Sequence, residues 1–341
     1  MKLRIPFIQN PVRVGIAVEE DGLRYTEARP TENGVEIRQA GLIPLEAGSI
    51  ENGRITDMEQ AKLQLTLAKK ELRLTKKKAI LSIPTSTVVI RKTNQPKLSP
   101  DDIRSLLEIE LGTTIHLPFS RPYFDFHKIG EVPSGPDIDE LREFAVGENP
   151  SPEDEYLVIA APGDVIDQYL ELLKVLDIEV TAVDIEPLAL YRLLRASGVA
   201  HKTDFMFLQL GEHSVNVSIF QSDIPEFLRN IPIQMAPIPA SAEKAEEESM
   251  IGLESFVNDL VREVDRVINF YQFSMKNDGT RIQTIYLTGE ADHLEKIVQL
   301  LQRRLTSFEI VPLPVHHMQW PQLSRIDAQA FTAAAGLTLR G

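Results

Sequence analysis

Residues 205–230, FMFLQLGEHSVNVSIFQSDIPEFLRN, decide the fold of this chain. Short apolar runs, separated by turn residues at 211–214 and 222–223, predict three successive strands. In such a hairpin, a glycine turn can bring backbone N–H groups close to a bound phosphate. A catalytic version needs a carboxylate at the end of the first strand to hold Mg²⁺ and a water, but Gln209 stands in that place. The stretch therefore indicates the frame of a nucleotide site without its metal-binding charge.

The chain opens with the same order of strands and turns. Residues 13–18, 23–28 and 35–40 read as strands, joined by Asp-Gly at 21–22 and Asn-Gly at 33–34, which are strong hairpin signals. Both meanders are followed by predicted strands and amphipathic helices. The sequence therefore predicts an α/β fold built from a degenerate internal repeat.

Several helix boundaries can be predicted from capping residues. Asp57, Asp164 and Ser99, the last followed by Pro100, are predicted N-caps. Asp292 and Glu295 form a predicted capping box. An alanine-rich helix is predicted at 327–337.

Composition and charge exclude some functions. The chain has 341 residues, enough for two domains, and a formal net charge of −14, which argues against a general nucleic-acid-binding protein. A local basic cluster fits either a solvated helix end or contact with an anionic membrane surface. This cluster consists of Lys69, Lys70, Arg73, Lys76, Lys77 and Lys78.

Cysteine is absent from the sequence, which excludes disulfides and thiolate chemistry and makes the cytosol the natural compartment. We find no signal-peptide pattern and no apolar run long enough to span a bilayer. We therefore expect a cytoplasmic protein that reaches the membrane only through partners.

The common catalytic motifs do not occur. The sequence has no P-loop lysine motif, G-x-G-x-x-G, H-E-x-x-H or G-x-S-x-G. A metal role for His316 and His317 is disfavoured, since neighbours in an extended segment point to different sides. Asp184 and Glu186 fit either a cleft or a plain helix start before Pro187.

Taken in order, the segments resemble the actin-like superfamily, and within it the PilM family of type IV pilus assembly proteins, which are relatives of the cell-division protein FtsA. The resemblance rests on VRVGIAVEEDGLRYTEA, AILSIPTSTVVIRKTNQPKLSPDDIRSLLEIELGTTIHLPFSRPYFDF, VTAVDIEPLALYRLL, the 205–230 hairpin, FVNDLVREVDRVINFYQ, IQTIYLTGEADHLEKIVQLL and AFTAAAGLTLRG. It implies a ribonuclease H-like, duplicated and bilobal fold with an inserted subdomain of the FtsA and PilM type.

The resemblance also implies domain boundaries. The first lobe would comprise 1–78 and 180–202, and the second lobe 203–325. The inserted, partner-binding subdomain would comprise 79–179, and a C-terminal helix at 326–341 would pack on the first lobe.

Members of this family bind ATP through three glycine-containing loops, and each loop is altered here. The G-x-D-x-G loop reads Gly15 to Glu19, with Ala17 in place of the aspartate and Glu19 in place of the second glycine. The D-x-G loop reads Gln209 to Gly211, and the G-G loop reads Gly289 and Glu290. A negative charge at Glu19 would repel phosphate. The sequence therefore argues against ATP hydrolysis and against an ATP or Mg²⁺ cofactor.

The resemblance also implies a protein partner, the short cytoplasmic N-terminal tail of a PilN-like membrane protein, and contact with a pilus assembly ATPase. An extended tail could dock by strand addition and by seating side chains in apolar pockets. The candidate lining residues are Ile83, Pro84, Val89, Ile103, Leu107, Glu110, Leu117 and Pro118, several of which could equally be core. Two alternatives stay open: a weak actin-like ATPase, and a cytoplasmic component of a type II secretion system.

Overall fold

The computed structural model describes residues 12–31, 34–70, 72, 74, 77–132, 152–233, 245–276, 281–290, 293–320 and 325–340. The predicted residues Asn33, Arg73, Lys76 and Asp292 lie outside this part of the chain. The chain forms two compact units, one made of Met1–Thr87 with Asp167–Gly341 and the other of Val88–Ile166.

The strands are β1 Arg13–Glu19, β2 Gly22–Thr31, β3 Gly34–Pro44, β4 Ile50–Glu51, β5 Arg54–Ile55, β6 Lys78–Ile83, β7 Val89–Pro96, β8 Pro122–Glu131, β9 Glu153–Pro162, β10 Glu179–Ile185, β11 Phe205–Leu210, β12 Ser214–Gln221, β13 Ile224–Pro232, β14 Thr284–Gly289, β15 Glu309–Pro312 and β16 Met318–Gln319. The helices are α1 Met58–Ala68, α2 Pro100–Thr113, α3 Gly163–Lys174, α4 Glu186–Ala196, α5 Ala245–Phe270, α6 Leu294–Arg304, α7 Arg325–Ala330 and α8 Thr332–Leu337. A 3₁₀ turn spans Thr85–Thr87, and a π-helical turn at Tyr271–Met275 extends α5.

Two sheets of the larger unit repeat one arrangement. The first sheet has the order β10-β6-β1-β2-β3-β16, and the second has the order β13-β12-β11-β14-β15. In each, the opening strand pairs antiparallel with the next strand and parallel with a strand that follows a crossover: β1 with β2 and β6, and β11 with β12 and β14. The predicted internal repeat and the α/β, actin-like class are confirmed by this topology.

Apolar packing explains why the two sheets belong to one unit. The second sheet buries β11, β12 and β14 against the apolar faces of α5 and α6. A further cluster combines residues of both sheets with α4 and α8. In that cluster the rings of Phe205 and Phe220 stack with centroids 5.0 Å apart, and Tyr191 stacks on Phe220 at 5.4 Å. Burial of this shared cluster therefore stabilises the two sheets as one body.

The smaller unit is a three-stranded antiparallel sheet, in the order β7-β9-β8, covered by α2. Ile103, Leu107 and Leu111 on α2 pack against Tyr156 and Val158 of β9. The predicted start of α2 is confirmed, because the Ser99 side chain accepts a hydrogen bond from the Asp102 backbone and Pro100 opens the helix.

Some boundaries differ from the predicted ones. Strand β6 and residues 167–179 belong to the larger unit, because β6 pairs with β1 and β10, so the small unit is shorter than 79–179. Strand β16 pairs with β3 of the first sheet, although 203–325 was expected in the second lobe. The last helix is two helices, broken at Phe331.

The predicted helix caps have different outcomes. Asp57 is a cap as predicted, since it accepts a hydrogen bond from the Gln60 backbone at 2.9 Å. Asp164 is not a cap, because it lies inside the first turn of α3, where its charge still favours the positive end of the helix. The N-cap of α6 is His293, one residue later than the capping box predicted, and it makes no side-chain cap bond. Among the described residues, the helices are too short or too polar to cross a bilayer.

Candidate functional site

The altered loops meet at a cleft in the larger unit. The β1–β2 turn and the β11–β12 turn face each other across this cleft, and the Thr85–Thr87 turn and the start of α4 close its side. The residues that line it include Glu19, Asp21, Thr85, Glu186, Gln209, Gly211 and Asn216. The structure thus brings Glu19, Gln209 and Gly211 together, whereas Gly289 and Glu290 of the third loop do not line the cleft.

Arg24 is buried beside this cleft, in contact with the lining residues Glu19 and Asp21. It lies on β2 opposite Ala17 of β1, and only 2% of its side chain is exposed. Its guanidinium donates to Glu19 at 2.5 Å and to both carboxylate oxygens of Asp21 at 2.8 Å. It also pairs with Glu290, which follows β14 of the second sheet. One buried cation therefore joins both sheets through carboxylates from two of the three altered loops.

Sequence reasoning missed Arg24. Its position in a strand was a usable indication. The strand Gly22–Thr31 is buried for most of its length, and Arg24 is the arginine within that buried part. A buried arginine requires carboxylate partners, because an unpaired buried charge is too costly to keep. The sequence does not show which of its 50 acidic residues those partners are.

Burial shifts two pKa values at this cleft. Burial raises the pKa of Glu19 to about 8, and neighbouring carboxylates add to that rise while Arg24 opposes it. Burial also raises the pKa of Glu186 to about 7, against the hydrogen bond from Thr85 and the charge of Arg24. The cluster holds more carboxyl groups than one guanidinium can neutralise, so the neutral form of some of them is favoured.

Glu186 is fixed inside the cleft, while Asp184 is not part of it. Only 1% of Glu186 is exposed, and its carboxylate accepts from the Thr85 hydroxyl at 3.1 Å and from the Asn216 amide at 3.3 Å. Asp184 instead pairs with Arg192 and with Arg340 near the C-terminus. The sequence left open whether these two carboxylates line a cleft or only mark the start of a helix. Glu186 lines the cleft, whereas Asp184 holds the segment that follows α8.

The glycines retained in the altered loops are explained by packing. A Cβ atom at Gly15 would lie 1.9 Å from the carbonyl oxygen of Ala334, so Gly15 lets α8 pack directly on β1. Gly289 has a φ of +102°, and a Cβ atom there would lie 2.1 Å from the carbonyl oxygen of Leu210. Both positions require glycine whether or not a phosphate binds nearby.

Ala17 and Gln209 both lie in buried surroundings beside a small cleft. Ala17 is fully buried in the apolar cluster shared by the two sheets, and Gln209 is 6% exposed. The free space of the cleft is about 40 Å³, close to the volume of one liquid water and far below the several hundred Å³ of ordinary ligand pockets. Within the described ranges, no group of three or more histidines or carboxylates could hold a metal ion.

His316 and His317 lie side by side after β15. The ring of His317 is largely enclosed, and burial, with His316 beside it, lowers the pKa of His317 to about 4. The two rings lie edge to face with centroids 5.7 Å apart.

The candidate partner-binding residues divide into core and surface. Ile83 is buried in β6, while Ile103 and Leu107 are buried under α2, so none of these three can line a surface groove, because their side chains fill apolar cores. Pro84 lines the cleft described above. The remaining candidates retain exposure: Pro118 is exposed, and Val89, Glu110 and Leu117 are half-buried.

Glu110 is additionally held by a hydrogen bond from Gln95 at 2.6 Å. Ile109, on the opposite face of α2 from Leu107, was not predicted but is 65% exposed. The sequence alone places this isoleucine between two acidic residues, a pattern that indicates an exposed position.

The fold is shared with known structures. A PilM–PilN type IV pilus biogenesis complex contains a chain that is 18% identical, with a TM-score of 0.71 and coverage of 98% of each chain. The ethanolamine utilization protein EutJ from Carboxydothermus hydrogenoformans is 13% identical, with a TM-score of 0.51 and coverage of 98% of this chain and 91% of that one. The cytoplasmic domain of EpsL, an inner membrane component of the type II secretion system of Vibrio cholerae, reaches a TM-score of only 0.43 at 9% identity, with coverage of 88% and 96%.

The sequence itself identifies the family. Curated proteins give no match to this chain. The family model of the type IV pilus assembly protein PilM matches residues 15–231, which is more than half of the chain and includes both altered hairpins and the whole small unit. The chain therefore belongs to the PilM family of type IV pilus assembly proteins.

Proposed function

We propose that this chain is a non-enzymatic scaffold of a type IV pilus machine, and that it holds the cytoplasmic N-terminal tail of a PilN-like membrane protein. It would then lie at the inner face of the membrane through that partner. The observation that carries the proposal is the Arg24 cluster, whose buried ion pairs engage Glu19 and Asp21 of the cleft lining.

The cluster opposes nucleotide binding in two ways. A triphosphate would have to displace Glu19, Asp21 and Glu290 from Arg24, and it would face the charges of Asp21 and Glu290 at close range. Each like-charge pair at roughly 4 Å costs on the order of 1–4 kcal/mol, depending on the local dielectric. The space of about 40 Å³ also requires the two sheets to separate before a nucleotide could enter. We infer that the cleft has become a structural joint.

The small unit offers the surface for a tail. Its outer strands β7 and β8 each pair with β9 on one side, so an extended peptide could add beside either of them through main-chain hydrogen bonds. The apolar side chain of Tyr123, on the open face of β8 and 52% exposed, would contact a residue of such a peptide at that edge. The likeness to a chain of the PilM–PilN complex supports the choice of partner.

Binding of a synthetic PilN-like tail peptide, measured by isothermal titration calorimetry, tests this proposal. We expect Tyr123→Asp to weaken binding at least tenfold, because it places a charge on the docking surface at the β8 edge. Leu67→Asp is a control, since Leu67 is also apolar and 64% exposed, but lies on α1 in the larger unit. Absence of binding to the unmodified chain would refute the partner assignment, and equal loss in both variants would refute the surface.

Thermal unfolding with and without Mg-ATP tests the cleft separately. We expect no change in melting temperature at millimolar Mg-ATP, because a ligand stabilises a protein only if it binds the folded state. A clear rise would favour the alternative function of a weak actin-like ATPase.

A further inference from the structure

A second groove borders the closed cleft on its outer side. It lies between the end of β3, the β4–β5 hairpin and the two hairpin turns that carry Glu20 and Glu212, and its volume is about 610 Å³. That volume falls within the range of ordinary ligand sites. We call this feature the acidic groove.

The acidic groove has an apolar floor that is held in place. Leu42, Pro44 and Ile50 contribute to this floor, and Leu42 is 38% exposed. The segment that carries them is fastened to the β1–β2 turn, because the backbone N–H of Leu45 donates to the carbonyl of Asp21 at 2.9 Å. A hydrogen bond from the backbone N–H of Glu46 to Gln64 of α1, at 3.0 Å, fixes it from the other side. The groove is therefore formed before any partner arrives, which reduces the ordering cost of binding.

The walls of the acidic groove carry carboxylates that the fold does not neutralise. In the part of the chain that the structure describes, Glu20 and Glu51 form no ion pair with a lysine or arginine. Glu212 lies 3.8 Å from His213. Burial raises the pKa of Glu20, and Glu212 and Asp21 raise it further while His213 opposes them. A cation placed in the groove would relieve this mutual repulsion.

We propose that the acidic groove docks a protein segment that carries lysine or arginine next to apolar side chains. The apolar floor would bury the side chains, and the unpaired carboxylates would receive the cations. Charge complementarity selects this class of partner, because an anionic ligand would meet three carboxylates. The groove belongs to the larger unit, so this partner is additional to the tail assigned to the small unit, and either assignment can fail without the other.

A fluorescent decapeptide of alternating leucine and lysine is the probe, and fluorescence anisotropy gives its affinity at physiological salt. We expect binding to the unmodified chain and at least a tenfold loss in the double variant Glu20→Gln with Glu51→Gln. The control is Glu59→Gln with Glu254→Gln, which makes the same charge change at exposed helical positions outside the groove. We expect this control to change the affinity by less than twofold. Melting curves of all variants report whether the fold is kept.

Three further measurements distinguish docking in the groove from general charge attraction and from self-association. Leu42→Ser should also weaken binding of the peptide. Spermidine at the same charge concentration should displace the peptide poorly, because spermidine has no apolar side chains to contact the floor of the groove. Equal weakening in the control, or full displacement by spermidine, would show general attraction to an acidic protein and overturn the proposal. A concentration-dependent dimer that only the groove variant abolishes would assign the groove to a second copy and also overturn it.

Discussion

Replacing Arg24 by methionine is the most direct perturbation of the closed cleft. Methionine keeps a long flexible side chain but removes the guanidinium that pairs with Glu19, Asp21 and Glu290. If the ion pairs hold the two sheets together, the variant must be less stable and its stability must depend strongly on pH.

The size of the effect follows from the burial of the partners. The carboxylates of Glu19 and Asp21 are 16% and 18% exposed, whereas Glu290 is 49% exposed and can return to water at little cost. Removing one partner of a buried ion pair costs roughly 3–5 kcal/mol. Protonation of the carboxyl group that loses Arg24 sets an upper limit on that cost. A carboxyl group with an ordinary pKa near 4 requires about 4 kcal/mol to be neutral at pH 7. Since Glu19 already favours its neutral form, the expected loss at pH 7 is about 3–4 kcal/mol for the cluster.

Urea unfolding at pH 7 and pH 5 measures this loss. At pH 5 the orphaned carboxyl group needs only about 1–2 kcal/mol to become neutral, so the difference between variant and unmodified chain should shrink. Arg262→Met is the control, because Arg262 is 71% exposed and pairs with Asp259 on the surface of α5. Such a surface pair is worth at most about 1 kcal/mol.

Two results would refute the reasoning. Equal stability of the Arg24 and Arg262 variants at pH 7 would show that the cluster does not hold the sheets. A difference that grows from pH 7 to pH 5 would show that the orphaned carboxylates are not the source of the loss.

The remaining predictions concern the neighbouring side chains and the two cores. Because the pKa of Glu186 is raised from 4.5 to about 7, the folded state holds its proton better than the unfolded state, and stability should fall as pH rises from about 4.5 to 7. Urea unfolding of Glu186→Gln should show less of this fall, by up to about 3 kcal/mol, and an unchanged pH profile would contradict the assignment. Gly15→Ala should lower stability by about 1–3 kcal/mol in a melting experiment, because the added Cβ atom has no room. Gly112→Ala, near the end of α2 where a Cβ atom meets open space, should raise stability by about 0.5–1 kcal/mol. Leu107→Ala should destabilise the small unit by about 2–5 kcal/mol and speed its proteolysis, and resistance equal to that of the unmodified chain would contradict its place in the core.

Local signals in the sequence identified most of the secondary structure. Turn residues and alternating apolar residues predicted the strands β1 to β3 and β11 to β13, because these signals act within a few residues. Ser99 with Pro100 predicted the start of α2 for the same reason. The errors at the starts of α3 and α6 and at Phe331 fall at helix ends and breaks, where packing shifts a boundary by one or two residues.

The sequence by itself also determined which residues stand in the loops that resemble nucleotide-binding loops, since Ala17 and Gln209 can be read directly. Only the tertiary structure decided what surrounds them. It placed Arg24 of one sheet against Glu290 of the other, 266 positions apart in the chain, and it placed α8 against Gly15. Charge pairing and close packing of this kind depend on distances between remote segments, and these distances exist only once the chain has folded.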